Sequence, residues 1–274
     1  MKMDLFNLEN KVAVILGGTG AIGKEIALGL GKSGAKVAIC ARNIEEINKT
    51  INIFSKLNII SKGYNVDVME KNQIINVRNQ IYADFNKVDI LVNAVGGNIK
   101  EATTSKENSF FDINIKDLEK TFKLNLIGGA ILPSQVFVEK MAKNKEGGSI
   151  INISSLNAYR PLTKIPAYSA AKAALSNFTK WLAVYIAQEY NRKLRVNAIA
   201  PGFFLTKQNH FLLFDKKGKL TNRGKSIIDH TPMKKFGKLE DLIGVCVWLA
   251  SEASSFVTGT VVLIDGGFNA YSGV

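Results

Sequence analysis

The sequence is poor in the residues that most often bind metals or form disulfide bonds, with only two cysteines and two histidines among 274 residues. Cys40 falls at the end of a predicted strand and Cys246 in a predicted late helix, and their spacing matches no metal-binding or redox motif. His210 and His230 also lack metal-ligand spacing, and no acidic cluster accompanies them. We therefore predict buried free thiols, histidines that pack or hydrogen-bond, and no metal site.

Long apolar runs are also absent. No stretch of about 18 consecutive apolar residues occurs, which is the length that a membrane-spanning helix requires. The first six residues, Met1–Phe6, contain no apolar signal region. We therefore expect a cytoplasmic protein with no membrane partner.

Acidic residues are in deficit: Asp and Glu number 23 against 36 Lys and Arg, which gives a net charge of +13. The lysines are spread along predicted helix faces, and the only tight cluster comprises Lys216, Lys217 and Lys219. No interleaved aromatic array or helix-turn-helix pattern accompanies that cluster, so we predict solvated faces and no nucleic-acid partner. A basic surface still attracts an anionic small-molecule substrate.

Strand-like and helix-like segments alternate along the chain. Strands are predicted near residues 11–16, 36–40, 61–66, 88–92, 149–154, 194–199 and 260–264. Helices are predicted near residues 21–33, 43–57, 69–85, 114–143, 166–190 and 239–250. This alternation predicts an α/β fold, a single domain over residues 1–274 with a doubly wound parallel sheet and helices on both faces. Residues 203–236 break the rhythm after a strand, and we expect this aromatic-rich segment to form a lid over a substrate.

A glycine-rich turn follows the first predicted strand. The apolar run over residues 11–16 leads into Gly17–Gly23, after which apolar residues recur at helical spacing before the second strand. Strand, glycine turn, helix and strand within about 30 residues is the arrangement of a dinucleotide-binding unit. In such a unit, glycines let the backbone approach a pyrophosphate, and the helix N-terminus offers N–H groups and a positive dipole end to the anion.

Tyr168 and Lys172 lie four residues apart in a predicted helix, downstream of Ser155. Residues four apart share one helix face, about one turn from each other. A lysine ammonium held there favours the phenolate, so we expect the pKa of Tyr168 to be lowered towards neutrality. Tyr168 would then serve as a general acid and base, with the Ser155 hydroxyl holding a substrate oxygen.

On these motifs the chain resembles the short-chain dehydrogenase/reductase family over essentially all of its length. Residues 16–23 match the family's glycine fingerprint, except that Leu16 and Ala21 depart from it. Further matching segments follow in the family's order; they are Asp67-Val68, Asn93-Ala94-Val95-Gly96, Asn125, and Pro201-Gly202 followed by Thr206. The segments 93–98, 200–206, 229–233 and 265–274 also resemble a subgroup labelled D-mannonate oxidoreductase.

The resemblance implies a Rossmann fold and an NAD(P)-dependent oxidoreductase that interconverts a keto-sugar acid and its hydroxy acid, such as D-fructuronate and D-mannonate. The four catalytic residues that it implies are Asn125, Ser155, Tyr168 and Lys172. The implied cofactor-binding residues are Gly17, Thr19, Gly20, Ala21, Ile22, Gly23, Asp67, Val68, Asn93, Ala94, Gly96, Tyr168, Lys172, Pro201, Gly202 and Thr206. The expected substrate-binding residues are Asn98, Asn157, Arg160 and Phe203.

The same resemblance implies a separate role for each of the four catalytic residues. Tyr168 protonates the substrate carbonyl while hydride arrives from the nicotinamide. Lys172 lowers the pKa of Tyr168 and hydrogen-bonds the nicotinamide ribose. Ser155 positions the carbonyl, and Asn125 holds a water that relays protons from Lys172.

The end of the second predicted strand bears on which nicotinamide cofactor binds. NAD-dependent enzymes commonly place an acidic residue there for the ribose 2′-hydroxyl. This chain has Ala41-Arg42-Asn43 instead, with no carboxylate to repel a 2′-phosphate. We therefore favour NADP(H) with Arg42 as its partner, and NAD(H) stays open because Arg42 also reads as an exposed charge at a helix start.

Four basic residues are candidates for binding a substrate carboxylate: Arg160, Lys164, Lys207 and Arg223. Each of them, taken singly, also fits a surface charge. Other reductases of the family, such as a 3-oxoacyl-carrier-protein reductase or a gluconate 5-dehydrogenase, share the catalytic residues and stay open. More remote alternatives are a cofactor-sensing regulator and a nucleic-acid-binding protein. Because relatives are often tetramers, the resemblance implies a homo-tetramer or dimer paired through the helices near 114–143 and 166–190.

Overall fold

The computed structural model describes residues 5–206 and 209–273. The strands are β1 Val12–Leu16, β2 Lys36–Ala41, β3 Ser61–Asn65, β4 Ile90–Asn93, β5 Gly148–Ile153, β6 Leu194–Pro201 and β7 Val261–Ile264. They form one sheet in the order β3-β2-β1-β4-β5-β6-β7, in which every neighbouring pair is parallel. The predicted parallel, doubly wound sheet is confirmed.

The helices lie between the strands, as the alternation of the sequence predicts. They are α1 Ala21–Lys32, α2 Ile44–Lys56, α3 Lys71–Phe85, α4 Ile115–Phe122, α5 Leu132–Met141, α6 Pro166–Glu189, α7 His210–Leu213, α8 Asn222–His230 and α9 Ile243–Ala250. Short 3-10 turns occur at Lys100–Ala102, Phe110–Asp112, Leu156–Ala158, Leu239–Leu242 and Glu252–Ser254. Among the described residues, no helix combines the length and the apolar character needed to cross a membrane.

Two of these elements differ from the sequence-based expectation. The helix expected over residues 114–143 is divided, because a π-helical stretch at Lys123–Ile131 separates α4 from α5. The segment expected to be an irregular lid contains α8, whose first turn is capped by the Thr221 hydroxyl, which accepts from the Gly224 N–H at 3.1 Å. Both differences lie close to the candidate site.

Residues of each central strand alternate between two apolar clusters on opposite faces of the sheet. In β1, Ala13 and Ile15 pack with residues of α1 and α9, whereas Val14 and Leu16 pack with residues of α3, α5 and α6. Both faces are therefore covered, which is why this strand is apolar at every position. Cys40 and Cys246 are buried as free thiols, as predicted.

The topology locates the candidate site. The strand order runs outwards in opposite directions from β1 and β4, so the chain segments that follow these two strands diverge and leave a crevice. The glycine turn follows β1, the Ala94–Gly97 segment follows β4, and Ser155 follows β5. Because parallel strands end at the same edge, these three segments meet above the carboxyl ends of the sheet.

Candidate active site

The turn after β1 depends on glycine at its first position. Gly17 has a φ of +81°, and a Cβ built there would lie 2.8 Å from the carbonyl oxygen of Ala94. Its N–H donates to the Cys40 carbonyl at 2.9 Å, and its own carbonyl accepts from the Gly20 N–H at 3.0 Å. The turn is thus folded tightly between the ends of β2 and β4.

The remaining fingerprint residues form the start of α1. Gly20 is the N-cap residue, and Ala21, Ile22 and Gly23 form the first turn. No side chain caps this end and its first turn holds no acidic residue. The first N–H groups of a helix lack intrahelical partners, and together with the helix dipole they attract an anion. This end of α1 therefore suits a phosphate group.

Arg42 and Asp67 lie beyond the ends of β2 and β3. Arg42 is exposed, its carbonyl accepts from the Asn65 side chain at 2.6 Å, and among the described residues no carboxylate pairs with its guanidinium. The Asp67 side chain accepts from the Met69 N–H at 2.9 Å, and its neighbour Val68 is buried. Both positions border the crevice beside the glycine turn.

Asn93 is buried at the end of β4, where its side chain forms hydrogen bonds within the protein core. Its amide donates to the Asn152 side chain at 2.8 Å and weakly to Ser134 at 3.5 Å. Its side-chain oxygen is a buried polar atom for which no partner lies among the described residues. The amide group expected to bind the cofactor thus joins β4 to β5, and it is the next residue, Ala94, that borders the glycine turn.

The ammonium of Lys172 is buried at the centre of the site. Its Nζ donates to the Ile153 carbonyl at 2.8 Å and lies 5.7 Å from the centre of the Tyr168 ring. Burial lowers the pKa of Lys172 to about 8, because the charged form loses its hydration. A Cβ on Gly96 would lie 3.0 Å from this Nζ, so a larger residue there would crowd the ammonium.

Asn125 holds the backbone next to Lys172. Its side-chain amide donates to the Gly97 carbonyl at 2.7 Å and to the Thr121 carbonyl at 2.9 Å, while its oxygen accepts from the Gly97 N–H at 2.9 Å. The residue lies in the π-helical stretch, a feature that is frequent at functional sites. The two-way bond to Gly97 fixes the segment that packs against Lys172.

Tyr168 and Ser155 form the hydroxyl pair of the site. The influence of the Ser155 side chain on its own lowers the pKa of Tyr168. Burial outweighs it, however, and the pKa of Tyr168 is raised. The expectation of a lowered pKa was therefore wrong for this state of the chain, because the Lys172 ammonium bonds the Ile153 carbonyl and desolvation acts on the phenolate.

Asn157 was expected to contact the substrate, but its polar atoms form hydrogen bonds to other residues of the site. Its side-chain amide donates to the Ser155 hydroxyl oxygen at 3.1 Å, and its backbone N–H does so at 3.2 Å. Its side-chain oxygen accepts from the Leu162 N–H at 3.2 Å and the Ser169 hydroxyl at 3.5 Å. Asn157 is buried, and it positions Ser155 against the loop that precedes α6.

The chain after β6 returns across the same edge of the sheet. The Gly202 N–H donates to the Ile264 carbonyl at 2.9 Å, which ties the Pro201-Gly202 pair to the end of β7. Phe203 packs edge-to-face on Phe268, with ring centres 5.2 Å apart. The Thr206 hydroxyl accepts from the Asn209 N–H at 3.3 Å, so in this structure it supports the turn that leads into α7.

A cavity of about 500 Å³ lies beside these elements, within the usual range of small-molecule sites. Its walls come from the segment after β4, the loop before α6, the chain after β6, α8 and the C-terminal segment. The lining residues are Asn98, Thr103, Leu162, Thr163, Lys164, Ile165, Phe203, Leu212, Arg223, Ser226, Ile227, His230 and Phe268. Lys164 and Arg223 are exposed, and neither pairs with a carboxylate among the described residues.

The four basic candidates for substrate binding differ in whether they line the cavity. Lys164 and Arg223 line the cavity, whereas Lys207 lies outside the described residues. Arg160, expected to bind substrate, does not line the cavity. Its guanidinium donates to the carbonyls of Asn269 at 2.8 Å and Tyr271 at 3.4 Å, so it anchors the C-terminal segment instead.

Sequence reasoning predicted that His230 packs or hydrogen-bonds, and it did not identify His230 as a residue that lines the cavity. The signal was the helical spacing of Arg223, Ser226, Ile227 and His230, which brings three polar side chains and one buried apolar side chain to the same wall. His210 instead stacks on Phe214, with ring centres 4.9 Å apart. Within the described parts of the chain, no group of three His, Cys, Asp or Glu side chains is arranged to hold a metal ion.

Comparisons with known proteins agree with this geometry. A family model described as enoyl-(acyl carrier protein) reductase matches residues 18–269. An uncharacterized oxidoreductase of Haemophilus influenzae is 46% identical over 279 aligned residues, which cover 98% of this chain and 96% of that protein.

Solved structures give the same picture. A Haemophilus influenzae protein provisionally named a D-mannonate oxidoreductase, with bound NAD, superposes with a TM-score of 0.91 at 45% identity and covers 98% of each chain. A gluconate 5-dehydrogenase from Burkholderia cenocepacia, in complex with NADP and tartrate, superposes with a TM-score of 0.86 at 27% identity and covers 98% of this chain and 99% of that one. The chain therefore belongs to the short-chain dehydrogenase/reductase family and is an oxidoreductase that uses a nicotinamide cofactor.

Proposed function

We propose that this chain interconverts a keto-sugar acid and its hydroxy acid, of the D-fructuronate and D-mannonate type. The observation that carries the proposal is a cavity walled by Lys164 and Arg223, which is also lined by Leu162 and Ile165 of the chain between Ser155 and Tyr168. The hydroxyl pair suits a carbonyl oxygen, and the two cations suit a carboxylate. The name of the similar Haemophilus protein supports the same reaction.

The turn after β1 fits a dinucleotide for two reasons. Gly17 has no side chain to keep a ligand away from the backbone, and no side chain caps the N-terminus of α1. When bound, the nicotinamide cofactor supplies or accepts the hydride. Arg42 is exposed and unpaired by any carboxylate of the described residues, which supports NADP(H). Because the Haemophilus relative binds NAD and the Burkholderia relative binds NADP, we propose that NADP(H) is preferred and NAD(H) is also accepted.

In this proposal, Tyr168 donates its phenolic proton to the carbonyl oxygen during reduction and takes it back during oxidation. Its raised pKa keeps the proton in place before the substrate binds. The Ser155 hydroxyl, held by Asn157, hydrogen-bonds the same carbonyl oxygen and aligns it with Tyr168. General acid catalysis requires this kind of hydrogen-bond contact between the acid and the reacting oxygen.

In this proposal Lys172 would hydrogen-bond the ribose of the bound cofactor and pass protons towards Tyr168. With a pKa of about 8, it exchanges a proton near neutral pH more readily than an ordinary lysine. Asn125 supports this role by fixing the Gly96-Gly97 backbone against Nζ. In the described structure its side-chain amide is bonded to Gly97 and Thr121, so any water that it holds is bound through other atoms of the residue.

Lys164 and Arg223 receive the substrate carboxylate in this proposal. In D-fructuronate three carbons separate the carboxylate from the reacting carbonyl, so both ends fit within one cavity of about 500 Å³. An arginine guanidinium binds a carboxylate with two parallel hydrogen bonds, and the lysine adds a point charge. We propose that α7 and α8 form the lid, because Leu212, Arg223 and Ile227 close one wall of the cavity.

A second candidate is a gluconate 5-dehydrogenase activity, which the name of the Burkholderia relative favours. D-Gluconate and D-mannonate are both oxidised at carbon 5 in these reactions and differ in configuration at carbon 2. Both acids carry the same carboxylate and the same carbon-5 hydroxyl, so the hydroxyl pair and the two cations do not distinguish them by charge or functional group. Rates of NADP⁺ and NAD⁺ reduction with D-mannonate and with D-gluconate separate the two candidates.

The chemistry is tested by Tyr168→Phe, which removes the transferable proton and keeps the ring. We expect kcat with D-fructuronate to fall by about 100-fold or more, the usual scale of general acid–base catalysis. Cofactor affinity, measured by fluorescence titration, should stay close to that of the wild type. Near-normal turnover by the purified variant would refute the assignment of Tyr168.

We also propose that two copies of the chain pair through α5 and α6. A groove of about 880 Å³ between these helices is lined by Phe178, Trp181, Tyr185 and Tyr190, and Trp181 is 56% exposed. Exposed aromatic side chains of this kind are enriched at protein interfaces. Sedimentation of Trp181→Glu should give a smaller species than the wild type, whereas Phe256→Glu, which alters an exposed aromatic residue outside the groove, should not.

A further inference from the structure

His230 lies at the C-terminal end of α8, on the face that lines the cavity. Arg223, Ser226 and Ile227 precede it by seven, four and three residues, which is the spacing of one helix face. Ile227 is buried and anchors this face, while the polar side chains border the cavity. The helix thus offers the cavity a cation near its start and an imidazole at its end.

The hydrogen bonds of His230 fix its tautomer. Its Nδ1 lies 2.9 Å from the Ser226 carbonyl oxygen, one turn earlier on α8. A carbonyl oxygen only accepts hydrogen bonds, so Nδ1 must carry the proton. In the neutral ring Nε2 is then an acceptor, and it lies on the side of the ring away from the helix backbone.

Two aromatic rings of the C-terminal segment flank this imidazole. The ring centre of Phe268 lies 6.3 Å from that of His230, and the ring centre of Tyr271 lies 6.4 Å away. Arg160 clamps the same segment through the carbonyls of Asn269 and Tyr271. The bond from Nδ1 to the Ser226 carbonyl leaves Nε2 as the ring nitrogen available to the cavity that His230 lines.

Asn98 provides a second acceptor by similar reasoning. The Thr103 hydroxyl donates its single proton to the Ile99 carbonyl at 3.0 Å. It must therefore accept from Asn98, whose side-chain nitrogen lies 2.7 Å away. The side-chain oxygen of Asn98 is left as an acceptor in a residue that lines the cavity.

We propose that His230 Nε2 and the Asn98 side-chain oxygen accept hydrogen bonds from hydroxyl groups on the carbon chain of the substrate. The inference rests on the proposed function, in which Lys164 and Arg223 hold the carboxylate. Lysine and arginine only donate, so they cannot satisfy a hydroxyl proton. Acceptors elsewhere in the cavity are what a polyhydroxylated acid needs, because a hydroxyl that leaves water without gaining a partner costs binding energy.

This arrangement makes His230 and Asn98 specificity-determining residues. A site built to hydrogen-bond a hydroxyl rejects an analogue that lacks it, because its own polar groups are then left unpaired. The chain should therefore distinguish a sugar acid from a simple keto acid of the same length. The matched probe is 5-oxohexanoate, which keeps the carboxylate and the carbonyl three carbons apart and carries no hydroxyl.

The test compares D-fructuronate with 5-oxohexanoate in the wild type and in His230→Phe, which keeps an aromatic ring without an acceptor. We expect kcat/KM for D-fructuronate to fall about tenfold or more, mainly through KM, as the loss of one well-placed hydrogen bond predicts. The kcat/KM for 5-oxohexanoate, and its inhibition constant against D-fructuronate, should stay unchanged. His230→Gln, which restores an acceptor, should recover most of the loss.

His210→Phe is the matched control, because His210 is the other histidine, stacks on Phe214 and does not line the cavity. It should leave both substrates unaffected. Asn98→Ala repeats the comparison at the second acceptor, so the proposal stays testable where His230→Phe fails to fold. Equal losses on both substrates, or no loss at either position, would overturn the proposal. A wild type that turns over no keto-sugar acid would instead refute the proposed function.

Discussion

The Lys172 ammonium lies against Gly96 so closely that a Cβ on Gly96 would be 3.0 Å from Nζ. The same Cβ would lie 2.7 Å from the side-chain oxygen of Asn125, which the Gly97 N–H holds in place. Neither neighbour moves freely, because Lys172 is bonded to the Ile153 carbonyl and Asn125 to two backbone groups of Gly97. The reach of Lys172 into the site thus depends on glycine at this one position.

Gly96→Ala should therefore displace the ammonium or the Asn125 side chain. We expect kcat to fall by about tenfold or more, and stability to fall by ~1–3 kcal/mol, the usual cost of overpacking. Gly97→Ala is the control, since a Cβ there meets nothing within 4 Å. Steady-state kinetics and chemical denaturation of both variants check this, and equal behaviour of the two variants would show that Gly96 does not constrain the site.

Burial of Lys172 should also leave a signature in stability. Its pKa is about 8 in the folded chain and returns to the ordinary value, near 10.4, on unfolding. Between these values the unfolded chain binds more protons, so this group makes the free energy of unfolding rise with pH from about pH 8 to about pH 10.4. Below that window the buried charge destabilises the fold by up to about 3 kcal/mol.

Lys172→Met removes that cost while keeping a long side chain. The stability difference between the wild type and Lys172→Met should therefore favour the variant at pH 7 and shrink as the pH rises towards 10. Urea denaturation at pH 7, 8.5 and 9.5 measures this difference. A difference that is constant with pH would show that Lys172 keeps an ordinary pKa.

Cofactor preference should depend on Arg42. A guanidinium that pairs with a 2′-phosphate forms a charge-assisted hydrogen bond, whose loss costs roughly tenfold or more in affinity. We expect Arg42→Ala to weaken NADPH binding by that factor and to leave NADH binding unchanged. Lys56→Ala, which removes an exposed charge at the other end of α2, is the control. A wild type that prefers NADH, with no effect of Arg42→Ala, would contradict the cofactor proposal.

The sequence was sufficient to predict the sheet, and it brings together the residues that stay the predicted centre of the site. Parallel strands that are covered on both faces appear in the sequence as apolar runs. The glycine turn and Ser155 each follow a predicted strand. Tyr168 and Lys172 share one face of a predicted helix. Sequence spacing predicts where such residues lie along the backbone. It does not predict the directions in which their side chains point.

Three residues illustrate that limit. The side chain of Asn93 crosses to Asn152 on the neighbouring strand, a contact set by strand register rather than by sequence spacing. Arg160 reaches the C-terminal segment more than a hundred residues away. The pKa of Tyr168 depends on how deeply the folded chain buries its phenol, which no local pattern reports.

The central claim is that the substrate is an anionic keto-sugar acid held by Arg223, and one comparison of kcat/KM tests it. D-Fructuronate and the neutral D-fructose are compared in the wild type, in Arg223→Ala and in Lys225→Ala, which removes an equal charge from α8 outside the cavity. We expect the wild type to prefer D-fructuronate, and Arg223→Ala to lower that kcat/KM by about tenfold or more, mostly through KM, since the carboxylate contact is equal in ground and transition states. Lys225→Ala should change neither value. Equal kcat/KM for the two substrates in the wild type, or a preference for acyl thioesters, would contradict the account.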